Sequence, residues 1–140
     1  AGITNDEMVQ NLDFAQTFLE AAGIDAPNDM QGESLIPLLT ESGEDWTRDA
    51  VYYHYYEYPS VHMVKRHYGI VNKDYKLVRF YYDVDEWELY DRKNDPNEMN
   101  NVYNDPEYSN IVSDLKIQLA ELRKKYKDSE ELDQKFIYKN

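Results

Sequence analysis

The sequence has no cysteine, no long hydrophobic run and few basic residues for its acidity. Without cysteine among its 140 residues, it cannot form disulfides, thiolate metal sites or a cysteine nucleophile. No apolar stretch approaches the roughly 20 residues that a membrane span needs. Lysine and arginine number 15 against 28 aspartates and glutamates, giving a net charge of −13. Nucleic-acid binding needs basic residues gathered on one face, so we do not expect a nucleic acid as a partner. The lack of a long apolar run likewise leads us to expect no membrane partner.

The length and the first residues also limit the interpretation. A chain of 140 residues suits one small domain with a modest core. Its opening, Ala-Gly-Ile-Thr-Asn-Asp, has neither the basic start nor the apolar middle of a signal peptide. We therefore expect either a cytosolic protein or a chain whose natural N-terminus lies further upstream.

Residues 87–101 predict a strand that breaks into a polar turn. Glu88, Leu89 and Tyr90 include strand formers, and the Asn-Asp-Pro-Asn sequence at 94–97 ends the strand near Asp91. A metal loop is the alternative for this turn, but backbone capping by Asn94 or Asp95 fits the residues better.

A long helix is predicted after this turn. Asp105 can cap its N-terminus, and Pro106 suits its first position, where no backbone N–H is needed. Apolar residues then follow at helical spacing and predict about five turns with one buried stripe. The stripe consists of Tyr108, Ile111, Val112, Leu115, Leu119, Leu122 and Tyr126.

Two shorter helices are predicted near the start of the chain. The first covers residues 8–23 and ends at Gly23, a residue typical of a left-handed helix end. Its apolar face consists of Leu12, Ala15, Phe18, Leu19 and Ala22. The second covers residues 35–39, with Ser34 as a cap. Residues 40–48 are polar and predict a surface excursion.

The predicted fold class is α+β. Four strands form an antiparallel sheet that the long C-terminal helix covers, and one or two short helices precede them. A tight connection at 72–74 joins the middle pair. The charged, weakly patterned tail from Asp128 onward predicts an arm or a partly disordered segment. The strands are predicted at 50–56, 66–71, 75–82 and 87–90.

The order of several short motifs resembles the C-terminal part of type I, formylglycine-dependent sulfatases. The resemblance extends from residue 8 to about 127, with departures at Gln16, where many relatives have proline, and at Arg92, where leucine is common. Residues 62–69, His-Met-Val-Lys-Arg-His-Tyr-Gly, further resemble bacterial N-acetylglucosamine-6-sulfatase-like enzymes. The other motifs are Asn-Leu-Asp-Phe-Ala at 11–15, Ala-Gly-Ile at 22–24, Met-Gln-Gly-Glu-Ser-Leu at 30–35, Leu-Leu at 38–39, Tyr-Lys-Leu at 75–77, Glu-Leu-Tyr-Asp at 88–91, Asp-Pro at 95–96, Glu98 and Asn101.

The resemblance implies a fragment of an alkaline-phosphatase-like sulfatase. Residues 1–49 would be a helical segment from the end of the catalytic domain, 50–127 the C-terminal α+β subdomain and 128–140 a charged tail. The parent would hydrolyse sulfate esters of glycans, of the glucosamine 6-sulfate type, in the periplasm or after export. It would use calcium and a formylglycine made from a C/S-x-P-x-R motif.

This chain contains no such nucleophile motif. The residues two positions before its prolines are Asp25, Leu35, Glu57, Asn94 and Asn104. We therefore expect no catalytic residue, metal ligand or cofactor here, and the missing N-terminal catalytic domain and the sulfated glycan are the expected partners. Phe14, Phe18, Leu35, Leu38 and Leu39 are expected to pack partly against that missing domain, so the isolated chain would expose an apolar patch through which it could dimerise.

Substrate contact is expected from the segment that holds all three histidines. The candidates are His54, Tyr56, His62, Arg66 and His67. Arginine offers a fork of donors to sulfate or carboxylate oxygens, histidine donates to hydroxyls, and tyrosine presents an apolar face with a polar tip to sugars. The alternative is that these are ordinary strand residues and structurally bonded histidines.

Two charged stretches are expected to have no ligand. The acidic residues Asp83, Asp85, Glu86 and Glu88 lack the spacing of a calcium loop and suit a solvated hairpin turn. The basic run at 123–125 suits a helix C-terminus. Two classes of function remain open: the C-terminal part of a sulfatase, or a non-catalytic carbohydrate-binding or interaction module.

Overall fold

The computed structural model describes residues 2, 4–40 and 46–137 and divides the chain into two compact units, Ala1–Asp49 and Ala50–Asn140. The first unit contains helix α1, Asp13–Ala21, and the single turn α2, Ile36–Leu39. Gly23 follows α1 with a φ of 69° and confirms the predicted left-handed end of this helix. Within the described residues, no helix combines the length and the apolar character needed to cross a bilayer.

The second unit contains the predicted sheet. Its strands are β1, Ala50–Tyr55, β2, His67–Asn72, β3, Tyr75–Phe80, and β4, Glu86–Asp91. They pair antiparallel in the order β1-β2-β3-β4. Helix α3, Ser109–Lys125, follows a 3-10 turn at Pro106–Tyr108, and α4, Glu130–Lys135, follows α3.

The core of the second unit lies between the sheet and α3. Ile70, Leu77 and Leu89 of the three adjacent strands are fully buried. On α3, the buried positions have the three- and four-residue steps of the predicted stripe: Val112, Leu115 and Leu119. Because side chains alternate along a strand, the residues between the core positions point to the opposite, outer face of the sheet.

The turn after β4 is held by side chains that cap its backbone. Asp95 Oδ2 accepts from the backbone N–H groups of Met99 and Asn100 at 2.7 and 2.8 Å. Asn101 Oδ1 accepts from Leu89 N at 3.0 Å and so joins the turn to β4. The interpretation of this turn as structural capping fits these bonds.

Helix α1 buries polar residues and exposes apolar ones, the reverse of a usual amphipathic helix in a globular protein. Its buried residues are Asp13, Gln16 and Thr17, whereas Phe14 and Phe18 of its apolar surface are 52% and 70% exposed. The predicted helix is therefore present, but its apolar face does not form the core of this unit. Exposure of Phe14, Phe18 and Leu39 agrees with the expectation of an apolar patch, but Leu35, which was expected in the same patch, is 9% exposed and buried within the chain.

A buried aspartate organises the first unit. Asp13 is fully buried and accepts from Gln10 N at 2.6 Å, Glu33 N at 2.9 Å and both terminal nitrogens of Arg48 at 2.5 and 2.8 Å. Burial alone would raise the pKa of Asp13, but the bonds from Arg48 and the backbone hold it below its ordinary value. The predicted surface excursion at 40–48 is wrong for Arg48, which is 7% exposed, and residues 41–45 lie outside the described part of the chain.

The predicted arm at the C-terminus is also wrong over residues 128–137. Ser129 caps α4 by accepting from Leu132 N at 3.3 Å, and Asp133 and Ile137 are 4% and 8% exposed. The charge pattern does not reveal this helix, because Asp133 reads as a solvated charge, whereas in the structure it pairs with Arg123 at 2.9 Å. Residues 138–140 of the predicted tail lie outside the described residues.

Replacing Asp13 with alanine tests the organisation of the first unit. We expect the free energy of unfolding at pH 7 to fall by about 3–5 kcal/mol, because the buried Arg48 guanidinium would lose the carboxylate that accepts from both of its terminal nitrogens. Since folding lowers the pKa of Asp13 from 3.8, the wild-type advantage is fully present above that value and lost as pH falls through the lowered pKa. Urea denaturation at several pH values measures both effects. The exposed Asp25→Ala variant is the control, and equal stability of the two variants at pH 7 would contradict this account.

Replacing Leu77 with alanine tests the core of the second unit. Leu77 is fully buried between the sheet and α3, so we expect the variant to lose about 2–5 kcal/mol of unfolding free energy. Ile117, which is 60% exposed on α3, supplies the control as Ile117→Ala. A loss below about 1 kcal/mol in Leu77→Ala would show that this contact is not the core.

Candidate functional site

The five candidate residues lie on β1, on β2 and in the connection between them. We call residues 56–66 the 56–66 loop. Strand alternation directs His54 toward the α3 side of the sheet, beside Tyr52, and His67 toward the outer face, beside Tyr53. The structure therefore separates the two strand histidines, and only one lies near α3.

His54 is enclosed in a hydrogen-bonded cluster. Its side chain is 5% exposed, Nδ1 lies 2.8 Å from Asp128 Oδ2, and Nε2 lies 2.6 Å from the Tyr81 hydroxyl. Because an ionised carboxylate can only accept, Nδ1 carries the proton, and Nε2 of the neutral ring accepts from Tyr81. Burial lowers the pKa of His54 below 6.5 against the opposing effect of Asp128, so the ring is neutral at pH 7.

Charges from α3 and the C-terminal segment complete this group, which we call the His54 cluster: His54, Tyr52, Tyr81, Arg123, Asp128 and Asp133. Arg123 Nη2 donates to both oxygens of Asp133 at 3.0 and 2.9 Å, and Arg123 Nε lies 3.4 Å from Asp128. Burial raises the pKa of Asp133. Burial acts the same way on Asp128, but hydrogen bonds from Tyr52 and His54 lower its pKa overall.

The His54 cluster includes three groups of the type that bind metals. Ligand atoms of His54, Asp128 and Asp133 lie within 4.8 Å of one another. However, the Arg123 guanidinium already donates to Asp133 and lies 3.4 Å from Asp128, so both carboxylates already have a cationic partner. The cluster is better suited to fastening α4 to the sheet than to holding a metal ion.

Tyr56 joins the His54 cluster to the 56–66 loop. Its ring stacks on His54 at a centroid distance of 3.6 Å and packs against Phe136 at 4.8 Å. Its hydroxyl donates to Asp128 at 3.3 Å. Burial and the Asp128 carboxylate raise the pKa of Tyr56 to about 12, so it remains a neutral hydrogen-bonding group. A cavity of about 540 Å³ adjoins these rings and is lined by His54, Tyr55, Tyr56, Glu57 and Phe136.

The 56–66 loop has a buried base and an exposed tip. Val61 is 91% exposed, and His62 and Met63 are also exposed. Lys65 Nζ lies 3.8 Å above the Tyr58 ring and donates to its hydroxyl. Arg66, in contrast, is 2% exposed and donates within the protein. Of the five candidates, His62 is the one whose side chain is exposed to solvent.

His67 lies in an aromatic layer on the outer face of the sheet. Nδ1 lies 2.8 Å from the Lys65 carbonyl oxygen, and the ring stacks on Tyr55 at 5.6 Å and packs edge-on against Tyr53 at 5.7 Å. Gly69 makes room for this layer, because a β-carbon there would lie 2.6 Å from the Tyr53 hydroxyl. A groove of about 380 Å³ runs beside His67, with Phe80 and Tyr90 among its lining residues.

The acidic hairpin is partly neutralised by one arginine of the 56–66 loop and one of β3. Asp83 Oδ2 lies 2.8 Å from Arg66 Nη1, and Asp85 Oδ1 lies 2.5 Å from Arg79 Nη2. The two ion pairs differ in burial, since the Asp83 side chain is 12% exposed and that of Asp85 is 85% exposed. These contacts give the acidic residues structural partners.

Sequence reasoning missed the acidic and basic members of the His54 cluster. The run at 123–125 was expected to face solvent, yet the Arg123 side chain is 12% exposed and stacks 3.9 Å over the Tyr68 ring. Ser129 followed by Glu130 and Glu131 is a helix-start signal that could have located α4. The contact of Asp128 with His54, 74 residues away, has no local signal.

Comparison with known proteins identifies the family. The N-sulphoglucosamine sulphohydrolase C-terminal family matches residues 1–125. An N-acetylglucosamine-6-O-sulfatase of Bacteroides thetaiotaomicron is 52% identical over 133 residues, which cover 93% of this chain and 24% of that protein. The human N-sulphoglucosamine sulphohydrolase is 46% identical over 46 residues, covering 33% of this chain and 9% of the human protein.

Solved structures share the fold as well as the sequence. One, in complex with its substrate D-glucosamine-2-N,6-O-disulfate, superposes with a TM-score of 0.79 at 54% identity and covers 84% of this chain and 24% of its own. A 2-O GAG sulfatase superposes with a TM-score of 0.72 at 29% identity, covering 83% of this chain and 25% of its own. The α+β fold predicted from the sequence, with its likeness to sulfatases, is thereby confirmed, and the chain spans about a quarter of the relatives that it matches. This chain belongs to the N-sulphoglucosamine sulphohydrolase C-terminal family.

Proposed function

We propose that this chain is the C-terminal part of a sulfatase that hydrolyses sulfate esters of glucosamine-type sugars. The observation that carries the proposal is 52% identity over 93% of the chain with an N-acetylglucosamine-6-O-sulfatase. Likeness to a structure that holds a glucosamine disulfate supports the same class of substrate. In the full-length enzyme, residues 1–49 would belong to the end of the catalytic domain and the later residues to the C-terminal subdomain.

The chemistry of bond cleavage would come from the upstream part of that enzyme. This chain has no cysteine, and no serine precedes any of its prolines by two residues, so a C/S-x-P-x-R nucleophile must lie elsewhere. We assign calcium and the formylglycine nucleophile to that part, and a periplasmic or exported location to the whole protein. Glycosaminoglycan-derived sugars are the proposed source of the substrate.

The role of this chain would be to complete the substrate cleft through the 56–66 loop and β2. His62 is exposed at the loop tip, where its imidazole can donate to hydroxyl or sulfate oxygens. His67 and Tyr56 present aromatic surfaces on either side of the sheet, beside cavities of about 380 and 540 Å³. His54 would hold the Tyr56 ring in place by stacking against it, at a centroid distance of 3.6 Å.

A His62→Ala substitution in the full-length enzyme tests the substrate contact. We expect KM for glucosamine 6-sulfate to rise about tenfold or more with kcat little changed, because a hydrogen bond to the sulfated sugar is lost in the ground state and the transition state alike. Steady-state desulfation measures both constants. Met99→Ala, which alters an exposed residue of the turn after β4, should behave as wild type. If His62→Ala keeps the wild-type KM, this residue does not contact the substrate.

The second candidate function is a non-catalytic carbohydrate-binding module. The outer-face groove favours it, because tyrosine and histidine rings beside Lys76 and Glu88 offer both stacking and hydrogen-bonding surfaces to a sugar.

A calorimetric titration of this chain with glucosamine 6-sulfate separates the two candidates. The sulfatase proposal predicts that this chain by itself binds the sugar with a Kd weaker than about 1 mM, since most of the cleft lies upstream. Micromolar binding that Tyr53→Ala abolishes would favour the module. Phe18→Ala, in the first unit, is the control variant.

A further inference from the structure

The base of the 56–66 loop is fastened by one buried arginine. Arg66 Nε donates to the Tyr56 carbonyl oxygen at 3.1 Å, and Nη2 donates to the carbonyl oxygen of Tyr58. A third bond runs from Nη1 to Asp83 Oδ2 at 2.8 Å. Arg66 is the last residue of the loop, and its guanidinium binds two backbone carbonyls at the start of the loop.

Only an arginine can make this set of contacts. Its planar fork reaches three acceptors in fixed directions, whereas a lysine ammonium is a single point of charge. Because the Arg66 side chain is 2% exposed, moving the two carbonyls away would leave buried donors without partners, at a cost in free energy. The loop backbone is therefore held at the positions that satisfy this guanidinium.

Asp83 holds the guanidinium in turn. It follows β3, and its backbone N–H donates to the Tyr81 carbonyl oxygen at 2.8 Å. Tyr81 N donates to the Arg66 carbonyl oxygen at 3.3 Å. The residues after β3 are thus joined to the end of the 56–66 loop by both a backbone and a side-chain contact. The ends of β1, β2 and β3 meet at this ion pair.

The tip of the loop has few such restraints and depends on its base. Met63 N donates to the Ser60 carbonyl oxygen at 3.0 Å, and Met63 adopts a φ of 51° in a tight reversal. Val61, His62 and Met63 are exposed beyond that reversal. The turn that carries His62 therefore begins two residues after the Tyr58 carbonyl that Arg66 holds.

We propose that Arg66, braced by Asp83, is a positioning residue for substrate binding, which sets the place of His62 without touching the sugar. This inference rests on the proposed function, because it needs the loop to contact the substrate. It gives Arg66 a different role from the direct contact expected from the sequence. The buried guanidinium acts on the protein backbone, and the exposed histidine acts on the sugar.

The proposal predicts a rise in KM when the ion pair is weakened in the full-length enzyme. Asp83→Asn and Arg66→Lys should each raise KM for glucosamine 6-sulfate about three- to tenfold, with kcat little changed, and Arg66→Gln should raise it further. Asp85→Asn and Arg79→Lys are matched controls, because they alter the neighbouring exposed ion pair and should retain the wild-type KM.

Hydrogen exchange of the loop supplies a readout that does not depend on the substrate. In the same full-length variants, peptides covering residues 57–65 should exchange faster in Asp83→Asn than in Asp85→Asn. Unchanged exchange in Asp83→Asn would overturn the clamp itself. Faster exchange with an unchanged KM in Asp83→Asn would overturn the positioning role if His62→Ala raises KM.

The result for His62→Ala separates failure of this inference from failure of the proposed function. If KM is normal in His62→Ala as well, the loop does not serve the substrate and both proposals are wrong. A rise in KM for Asp83→Asn that Arg79→Lys and Asp85→Asn do not share supports the inference. A uniform loss of active enzyme with normal KM would indicate a merely structural role and contradict it.

Discussion

Packing of α3 against the sheet is the contact on which the second unit depends. Ile70, Leu77 and Leu89 can be buried only on the side that α3 covers, and this choice of side fixes the direction of every other strand residue. His54 then points toward the helix and His67 away from it. A one-residue change in the register of β1 would turn His54 to the outer face and remove it from the His54 cluster, and the same change in β2 would turn His67 out of the aromatic outer layer.

Three arginines with largely buried side chains form ion pairs that join separate segments of this acidic chain. Arg48 pairs with Asp13 in the first unit, Arg66 with Asp83 at the base of the 56–66 loop, and Arg123 of α3 with Asp133 of α4. Each guanidinium reaches two or more acceptors, which a lysine cannot do with the same geometry. These contacts neutralise charge where it is buried, and exposed acidic residues such as Asp85 favour solubility. The site thus has a rigid base, and its exposed tip carries the group offered to a ligand.

Local patterns predicted the elements of the fold better than the contacts between them. Strand formers bounded by turn signals and the apolar stripe of α3 were sufficient to predict the sheet and its covering helix. The Asn-Asp-Pro-Asn signal placed the end of β4, and Asp105-Pro106 placed the 3-10 turn that leads into α3. The buried ion pairs could not be predicted, because their partners are far apart in the sequence. Asp13 and Arg48 are separated by 35 positions, and Arg66 and Asp83 by 17. A charged residue has the same sequence signature whether it faces water or a distant partner. That ambiguity explains why the charge pattern after Asp128 predicts an arm where the structure has α4, and why no local signal reveals the bond between Arg66 and Asp83.

The central claim is that the 56–66 loop brings His62 to the substrate, and a crystal structure of the full-length enzyme with glucosamine 6-sulfate tests it most directly. The quantity to measure is the distance from the His62 ring nitrogens to the nearest sugar or sulfate oxygen. Our account predicts a separation of about 3 Å, with the Arg66 and Asp83 contacts intact beneath it. A sugar bound in the catalytic pocket with His62 more than about 6 Å away, too far even for one bridging water, would contradict it.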